Sequence, residues 1–303
     1  MKNFNSFAQS QALQTPWFIT GFADAEGTFI VSIVRDNEYK AGWRVGLVFA
    51  IGLNVKDTIL LEHIKSHFKV GTIRYSKADH TAIYAVQSLK DISSVIIPHF
   101  DKYPLLTQKR ADFELFKSVV DLMNRKVHRT PDGLQQIVNL RASINQGLSE
   151  TQKAAFPTTE PVSRPVIMAT EIPNPSWLSG FVDGEGCFHV RLSQRQIQLD
   201  FSISQSGRDL DLLNYIVSYL NSGTVRTNSR DSVASFSITK FSDIIEKLIP
   251  FFDSYPLQGS KLSDYLCFRQ VAILMKDKVH LTKEGADQIR VIKESMNKGG
   301  TRL

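Results

Sequence analysis

The chain repeats itself. The segment IIPHFDKYPLLTQKRADFELFKSVVDLM at 96–123 returns as LIPFFDSYPLQGSKLSDYLCFRQVAILM at 248–275, an offset of 152 residues. At that spacing Asp57 matches Asp209, Gly71 matches Gly223, Asp91 matches Asp243, His128 matches His280, Gly133 matches Gly285 and Asn145 matches Asn297. Nearer the start of each half ITGFADAEGTF at 19–29 matches LSGFVDGEGCF at 178–188, an offset of 159, so the first half carries seven extra residues around DNEYKAG. Two like domains in one chain are therefore expected. Residues 148–176 hold five of the eleven prolines, which predicts an extended linker. The expected division is 1–147, a linker at 148–176, and 177–303.

Each half reads as α+β. The apolar stretch that ends in the acidic motif predicts a helix, and FIVSIV and WRVGLVFAIGL predict strands rich in β-branched residues. VKDTILLEHIKSHF has helical spacing, with Ile59, Leu60, Ile64 and Phe68 expected on its buried side. TIRYS and TAIYAV predict a second strand pair, and the YPLLTQKRADFELFKSVVDLM stretch a further amphipathic helix. The expectation is two pseudo-symmetric domains, each a four-stranded antiparallel sheet with helices on one face.

Bulk properties limit the function classes. At 303 residues and 42% hydrophobic the chain can bury a core in each half. A net charge of +6 favours a polyanionic partner, since Lys and Arg clusters release counterions from phosphates. Two cysteines, Cys187 and Cys267, with no CxxC spacing, point to neither a disulfide framework nor a zinc site, and a reducing compartment fits. No run of eighteen apolar residues occurs, and MKNFNSFAQSQALQTP has no secretory or transit pattern, so no membrane role is expected.

The duplicated acid motif carries the chemistry. Gly21 and Ala25, and likewise Gly180 and Gly184, stand four apart, which gives each predicted helix a smooth stripe against which a second helix can pack closely. Glu26 and Glu185 follow, ahead of Gly27 and Gly186 in the position where glycine ends helices in the left-handed conformation. A carboxylate at a helix C-terminus faces the negative end of the dipole, at roughly 0.3–1 kcal/mol each. Paired helices would add like-charge repulsion of roughly 3 kcal/mol at about 6 Å and an effective dielectric near 20. One isolated Glu-Gly is an ordinary turn acid. Two in register suggest hard divalent cations, which reverse the sign of both penalties. Asp24 and Asp183 are expected to be structural, bonding nearby backbone groups.

GFADAEG and GFVDGEG resemble the two motif copies of the LAGLIDADG homing endonucleases, specifically the single-chain, two-repeat branch of fungal mitochondrial introns. The YPL-x-x-x-K segment and the linker position resemble that branch as well. The resemblance implies a DNA-binding saddle of two sheets, paired motif helices, and hydrolysis of both strands of a long asymmetric site with 3′ overhangs. It implies Mg²⁺, with Mn²⁺ or Ca²⁺ able to take the same places, held by Glu26 and Glu185 with the carbonyls of Ala25 and Gly184 as further ligands. Metal-activated water needs no Ser, Cys or His nucleophile. Basic or polar groups around the site are expected from Lys109, Lys261, Gln205 and Lys240; the last two match Leu53 and Ser88, so the peripheries differ. The same resemblance implies a monomer of mitochondrial location. An RNA-binding maturase acting on intron RNA, or a regulator that binds DNA without cutting it, uses the same scaffold and stays open.

Strand alternation predicts which residues meet the duplex. Val45, Leu47, Phe49 and Ile51 must face the helices, so their neighbours face out. In the first half the outward set includes Ile30, Ser32, Val34, Arg44, Gly46, Val48, Ala50, Gly52, Thr72, Arg74 and Ser76. In the second it includes His189, Arg191, Ser193, Gln198, Asp200, Ser202, Ser204, Thr224, Arg226 and Asn228. Such side chains can match base edges where a β-ribbon enters the major groove. Strands of about eight residues span roughly 26 Å, so two sheets cover on the order of 16–20 base pairs of double-stranded DNA.

Overall fold

The computed structural model describes residues 15–193, 196–228 and 232–296. The segment 1–14 read above for targeting signals, and Asn297, lie outside them. The chain divides into two compact units. Residues 26–168 form one, and residues through Ala25 join those from Ala169 onward in the other.

The first unit contains β1 (Gly27–Arg35), β2 (Trp43–Asn54), β3 (Thr72–Ser76) and β4 (Thr81–Val86) as an antiparallel sheet in the order β1-β2-β4-β3. Phe29 pairs with Phe49 and Val31 with Leu47, which sends the apolar set of both strands to one face. Val45, Leu47, Phe49 and Ile51 are buried there as expected. On that face Phe29 meets Phe49, Phe100, Phe113 and Phe116 at 5.2–5.4 Å between ring centres. The second unit repeats the design with β5 (Gly186–Leu192), β6 (Ile197–Ser206), β7 (Thr224–Asn228) and β8 (Val233–Ile238), ordered β5-β6-β8-β7. Here Phe188 meets Phe201, Phe252, Tyr265 and Phe268 at 4.9–5.7 Å. The duplicated segments thus preserve one aromatic core twice, which is the strongest packing reason that both halves keep one fold.

Two expectations need correction. The helix at Thr58–Phe68 buries Leu60, Leu61, Ile64 and Phe68, whereas Ile59 is 70% exposed, because its rotation about the axis puts Leu61 on the sheet instead. The linker is also not a free spacer. Glu150–Ala155 is a helix with a capping box at Ser149, and Gln152 Nε2 donates to Ile33 O at 3.0 Å. Arg164 clamps the next stretch. Its guanidinium takes both oxygens of buried Asp112 at 2.6 and 2.8 Å and reaches the carbonyls of Ser143 and Gln108 at 2.9 and 3.0 Å. Asp112 also accepts Asn145 N at 2.8 Å. The bidentate fork raises the guanidinium's already high pKa and ties residues 108, 112, 143 and 164 together. Among the described residues no helix is long and apolar enough to cross a membrane.

In the first unit buried His99 packs against His67, Phe68, Phe100 and Tyr103. Burial, and then the neighbouring His67, lower its pKa from the usual 6.5 to about 3. Between those values the unfolded chain holds the proton and the native protein does not, so stability is present above pH 6.5 and is lost as pH falls toward 3. Urea titrations from pH 7 to 4 should show a loss of up to about 1.4 kcal/mol per pH unit from this group, absent in His99→Phe. Arg164→Ala should lower the denaturation free energy by roughly 3 kcal/mol, because it leaves the Asp112 carboxylate without its fork. An unchanged urea midpoint would remove the clamp from the account.

Candidate metal centre and nucleic-acid interface

The motif helices are α1 (Pro16–Glu26) and α2 (Pro175–Glu185). Their contact lies within the second unit and is set by backbone. A Cβ on Gly21 would stand 1.9 Å from the Trp177 carbonyl oxygen, and one on Gly180 would stand 2.0 Å from that of Phe18. No larger residue fits at either position. Around this crossing Phe18, Phe22, Trp177 and Phe181 are buried. In each helix the terminal acid lies five residues beyond the contact glycine, so the pairing is twofold in sequence as well as in space.

The inner aspartates hold this frame, as expected of them. Asp24 is buried and accepts the Trp177 indole N–H at 2.9 Å, a bond from one motif helix to the other. Asp183 accepts the backbone N–H groups of Gln258 and Gly259 at 2.6 and 2.8 Å. Ser179 Oγ donates to the Tyr255 carbonyl at 2.7 Å, fixing the same loop. Nothing in the motif spacing foretells the indole bond, because Trp177 stands where the first half has Phe18.

The helix ends differ from the expectation in one respect. Gly186 has φ −72° and ψ 153°, an extended conformation that starts β5, and Gly27 likewise starts β1. The positive-φ glycines among the described residues are Gly42, Gly71, Gly147 and Gly223. Glycine is needed at 186 for space: a Cβ there would meet Val182 Cγ1 at 2.5 Å. A helix passing directly into a strand leaves the last carbonyls of α2 without intrahelical partners. Lys261 supplies one. It opens the helix α3 (Lys261–Lys276), and its Nζ donates to Gly184 O at 2.6 Å and Val182 O at 3.1 Å. The ammonium thus sits at the negative pole of α2, a place where a cation is favoured. Glu185 and Glu26 are half-buried at their helix ends. Lys109 opens the helix Lys109–Asn124, the position matching Lys261.

The other peripheral candidates separate. Gln205 is half-buried on β6 opposite Ala234, two residues past the Gly186–Ile203 pair and so at the Glu185 end of the sheet. Lys240 follows β8, whose Ile238 pairs with Phe201, so it lies about five residues, roughly 17 Å, along the sheet from the level of Glu185. Its ammonium pairs instead with Asp243 at 3.5 Å. In the first half Ser88 at the matching position caps the following helix by accepting Asp91 N.

The outward strand faces follow the expected alternation with one correction. Arg44, Arg74, Arg191, Ser193, Gln198, Ser204, Arg226 and Asn228 are exposed, and Ser32, Ser76, His189 and Ser202 are half-exposed. Asp200 is on the outward side of the pleat yet is 5% exposed, because the Arg191 guanidinium lies on it and bonds its Oδ2. Its Oδ1 is buried and takes no hydrogen bond among the described residues. Ser32 Oγ donates to Gly46 O at 3.3 Å, and Arg44 pairs with Asp36 at 3.4 Å. The expected outward set leaves out residues of β4 and β8, which pair directly with β2 and β6 and put Ile83, Ser235 and Ser237 on the same outward faces. The alternation of TAIYAV could have shown this.

Two α+β repeats, each entered through a glycine-packed helix ending in Glu, define a duplicated scaffold with one long outward face per sheet. The chain belongs to the LAGLIDADG endonuclease family, which it matches over residues 19–120 and 178–272. It is 41% identical over 292 residues to the probable intron-encoded endonuclease 2 of Neurospora crassa, covering 93% of this chain and 65% of that protein. It is 40% identical over 299 residues to the probable intron-encoded endonuclease 3 of the same organism, covering 96% of this chain and 56% of that one. The chain therefore spans less than two thirds of these curated relatives. Among solved structures, I-SmaMI bound to uncleaved DNA target in the presence of calcium ions is 43% identical, with a TM-score of 0.91, covering 94% of this chain and 99% of that one. I-GzeII in complex with its DNA target is 41% identical, with a TM-score of 0.89 over 94% and 99% of the two chains.

The glycine crossing is directly testable. Gly180→Ala should cost about 3 kcal/mol or more, since the added methyl meets backbone and not a movable side-chain tip. Thermal unfolding followed by circular dichroism should show the loss, and Ser179→Ala should lower the midpoint far less.

Proposed function

We propose that this protein is a site-specific endonuclease that hydrolyses both strands of a long, asymmetric DNA site with divalent cations, leaving 3′ overhangs. The observation that carries the reading is the glycine-locked pair of motif helices, each delivering a carboxylate from its negative pole, with Lys261 already drawn to the Gly184 carbonyl. The donor set supports a hard cation: Glu26, Glu185 and the carbonyls of Ala25 and Gly184 offer only oxygen. Among the described residues no group of three or more His, Cys, Asp and Glu gathers, so a cation would draw its remaining ligands from water and from the substrate. Mg²⁺ is the proposed ion, with Mn²⁺ or Ca²⁺ taking the same places; the calcium in the I-SmaMI complex supports this class.

A bound divalent cation would lower the pKa of its water and stabilise the leaving oxygen. The chain's own groups orient and select. Glu26 and Glu185 fix the cations, Lys261 and Lys109 place positive charge beside the helix ends, and Gln205 offers an amide at the same end of its sheet. Arg44, Arg74, Arg191 and Arg226, with Ser32, Ser76, His189, Ser193, Gln198, Asp200, Ser202, Ser204 and Asn228, meet the duplex. Asp200 Oδ1 takes no hydrogen bond among the described residues, and it would suit the amino group of a cytosine once Arg191 turns from it toward the duplex. With both motif copies in one chain the protein would act as a monomer. The intron-encoded relatives, and the 44% identity over 117 residues to a protein of ND4 intron 1 in Podospora anserina, support an origin in a mitochondrial intron.

Glu26→Gln and Glu185→Gln should each retain binding to a duplex selected from a randomised library while double-strand cleavage in Mg²⁺ falls by at least about a hundredfold. Cleavage by the double variant at the unmodified rate would refute the assignment. Retained cleavage with lost binding would refute it as well.

A further inference from the structure

The two outward sheet faces differ in chemistry position by position. On the first sheet, Ile30 pairs with Val48, Ala50 with Ala85, and Gly52 with Ile83. At the matching places on the second sheet stand His189 with Asp200, Ser202 with Ser237, and Ser204 with Ser235. Every apolar position of one face is thus polar on the other. Ile30 and Ile83 are 37% and 43% exposed, while Ala50 and Ala85 beneath them are covered. The result is a contiguous apolar ridge across β1, β2 and β4, flanked by exposed Arg74 beside Ile83. Ile30 on the edge strand β1 and Ile83 on the inner strand β4 hold β-branched side chains up to solvent, apolar surface whose burial a fitting ligand would gain.

We propose that this ridge is a specificity surface that reads thymine 5-methyl groups in the major groove, with Ile30, Val48 and Ile83 as the contacts. The inference rests on the nuclease reading above. The only apolar group that a base edge presents in the major groove is the thymine methyl, and hydrocarbon side chains are its fitting partners. Arg74 beside the ridge supplies the phosphate or guanine contact that fixes register, and the polar second sheet reads by hydrogen bonds. One half of the target is then methyl-dependent and the other is not. Asymmetry of the site follows from which chemistry each sheet uses, beyond the difference in residue identity.

The test uses the unmodified protein and a duplex selected from a randomised library. Thymidine is replaced by deoxyuridine in one half of the site at a time, which removes only the methyl. Affinity should fall by about fourfold per contacted methyl in one half and change by less than about twofold in the other. Ile83→Ser, which installs the residue of the matching position 235, should cut the deoxyuridine penalty in that same half, with an unchanged melting temperature. Equal penalties in both halves, no penalty in either, or a full penalty surviving in Ile83→Ser would overturn the proposal. A library that yields no bound or cut duplex would overturn the nuclease reading itself, and the inference with it.

Discussion

The close approach of two helix backbones at Gly21 and Gly180 is the constraint on which the site depends. Side chains pack tolerantly, but carbonyl oxygens do not yield. With 1.9–2.0 Å between a hypothetical Cβ and the opposing oxygen, the crossing point is fixed by what is absent. Asp24 and Trp177 then tie the same two helices through one buried hydrogen bond. A helix held this rigidly can carry an unfavourable carboxylate at its end, because the packing energy of the crossing offsets a dipole penalty of under about 1 kcal/mol.

Rigid framing also explains the division of labour between the two aspartates and the two glutamates. Asp183 Oδ2 accepts both backbone N–H groups of the loop that leads to Lys261. That loop sets where α3 begins, and hence where the ammonium lands. The charge at the N-terminus of α3 is unfavourable for α3 and favourable for α2, so Lys261 is placed by the needs of the motif helix.

Much of this was legible from residues alone. The repeat offset foretold a duplicated α+β fold, the β-branched and apolar runs foretold its strands, and the alternation in WRVGLVFAIGL correctly sent Val45, Leu47, Phe49 and Ile51 inward. The errors have local causes. Ile59 and Leu61 are both apolar at helical spacing, and only the docking angle of the helix chooses between them. Gly186 matched a left-handed cap on pattern, yet its glycine is required by Val182 across a helix-to-strand junction, which spacing does not reveal. Lys240 was grouped with the site on type, whereas the strand register puts it at the other end of the sheet. Asp200 was placed on the correct face, but its cover by Arg191 depends on side-chain geometry that no alternation encodes.

The Arg164 clamp changes what the proline-rich connection is for. Hydrogen bonds hold this connection to residues 26–168 as far as the Ile167 carbonyl, which accepts from Gln108, and Ile172 is buried again before Asn174 caps α2. Of a 29-residue stretch only a handful of links between those points bridges the halves. A chimaera that joins this first half to the second half of a relative should therefore be grafted after Met168, where the donor's own strap travels with the surface it was shaped to fit.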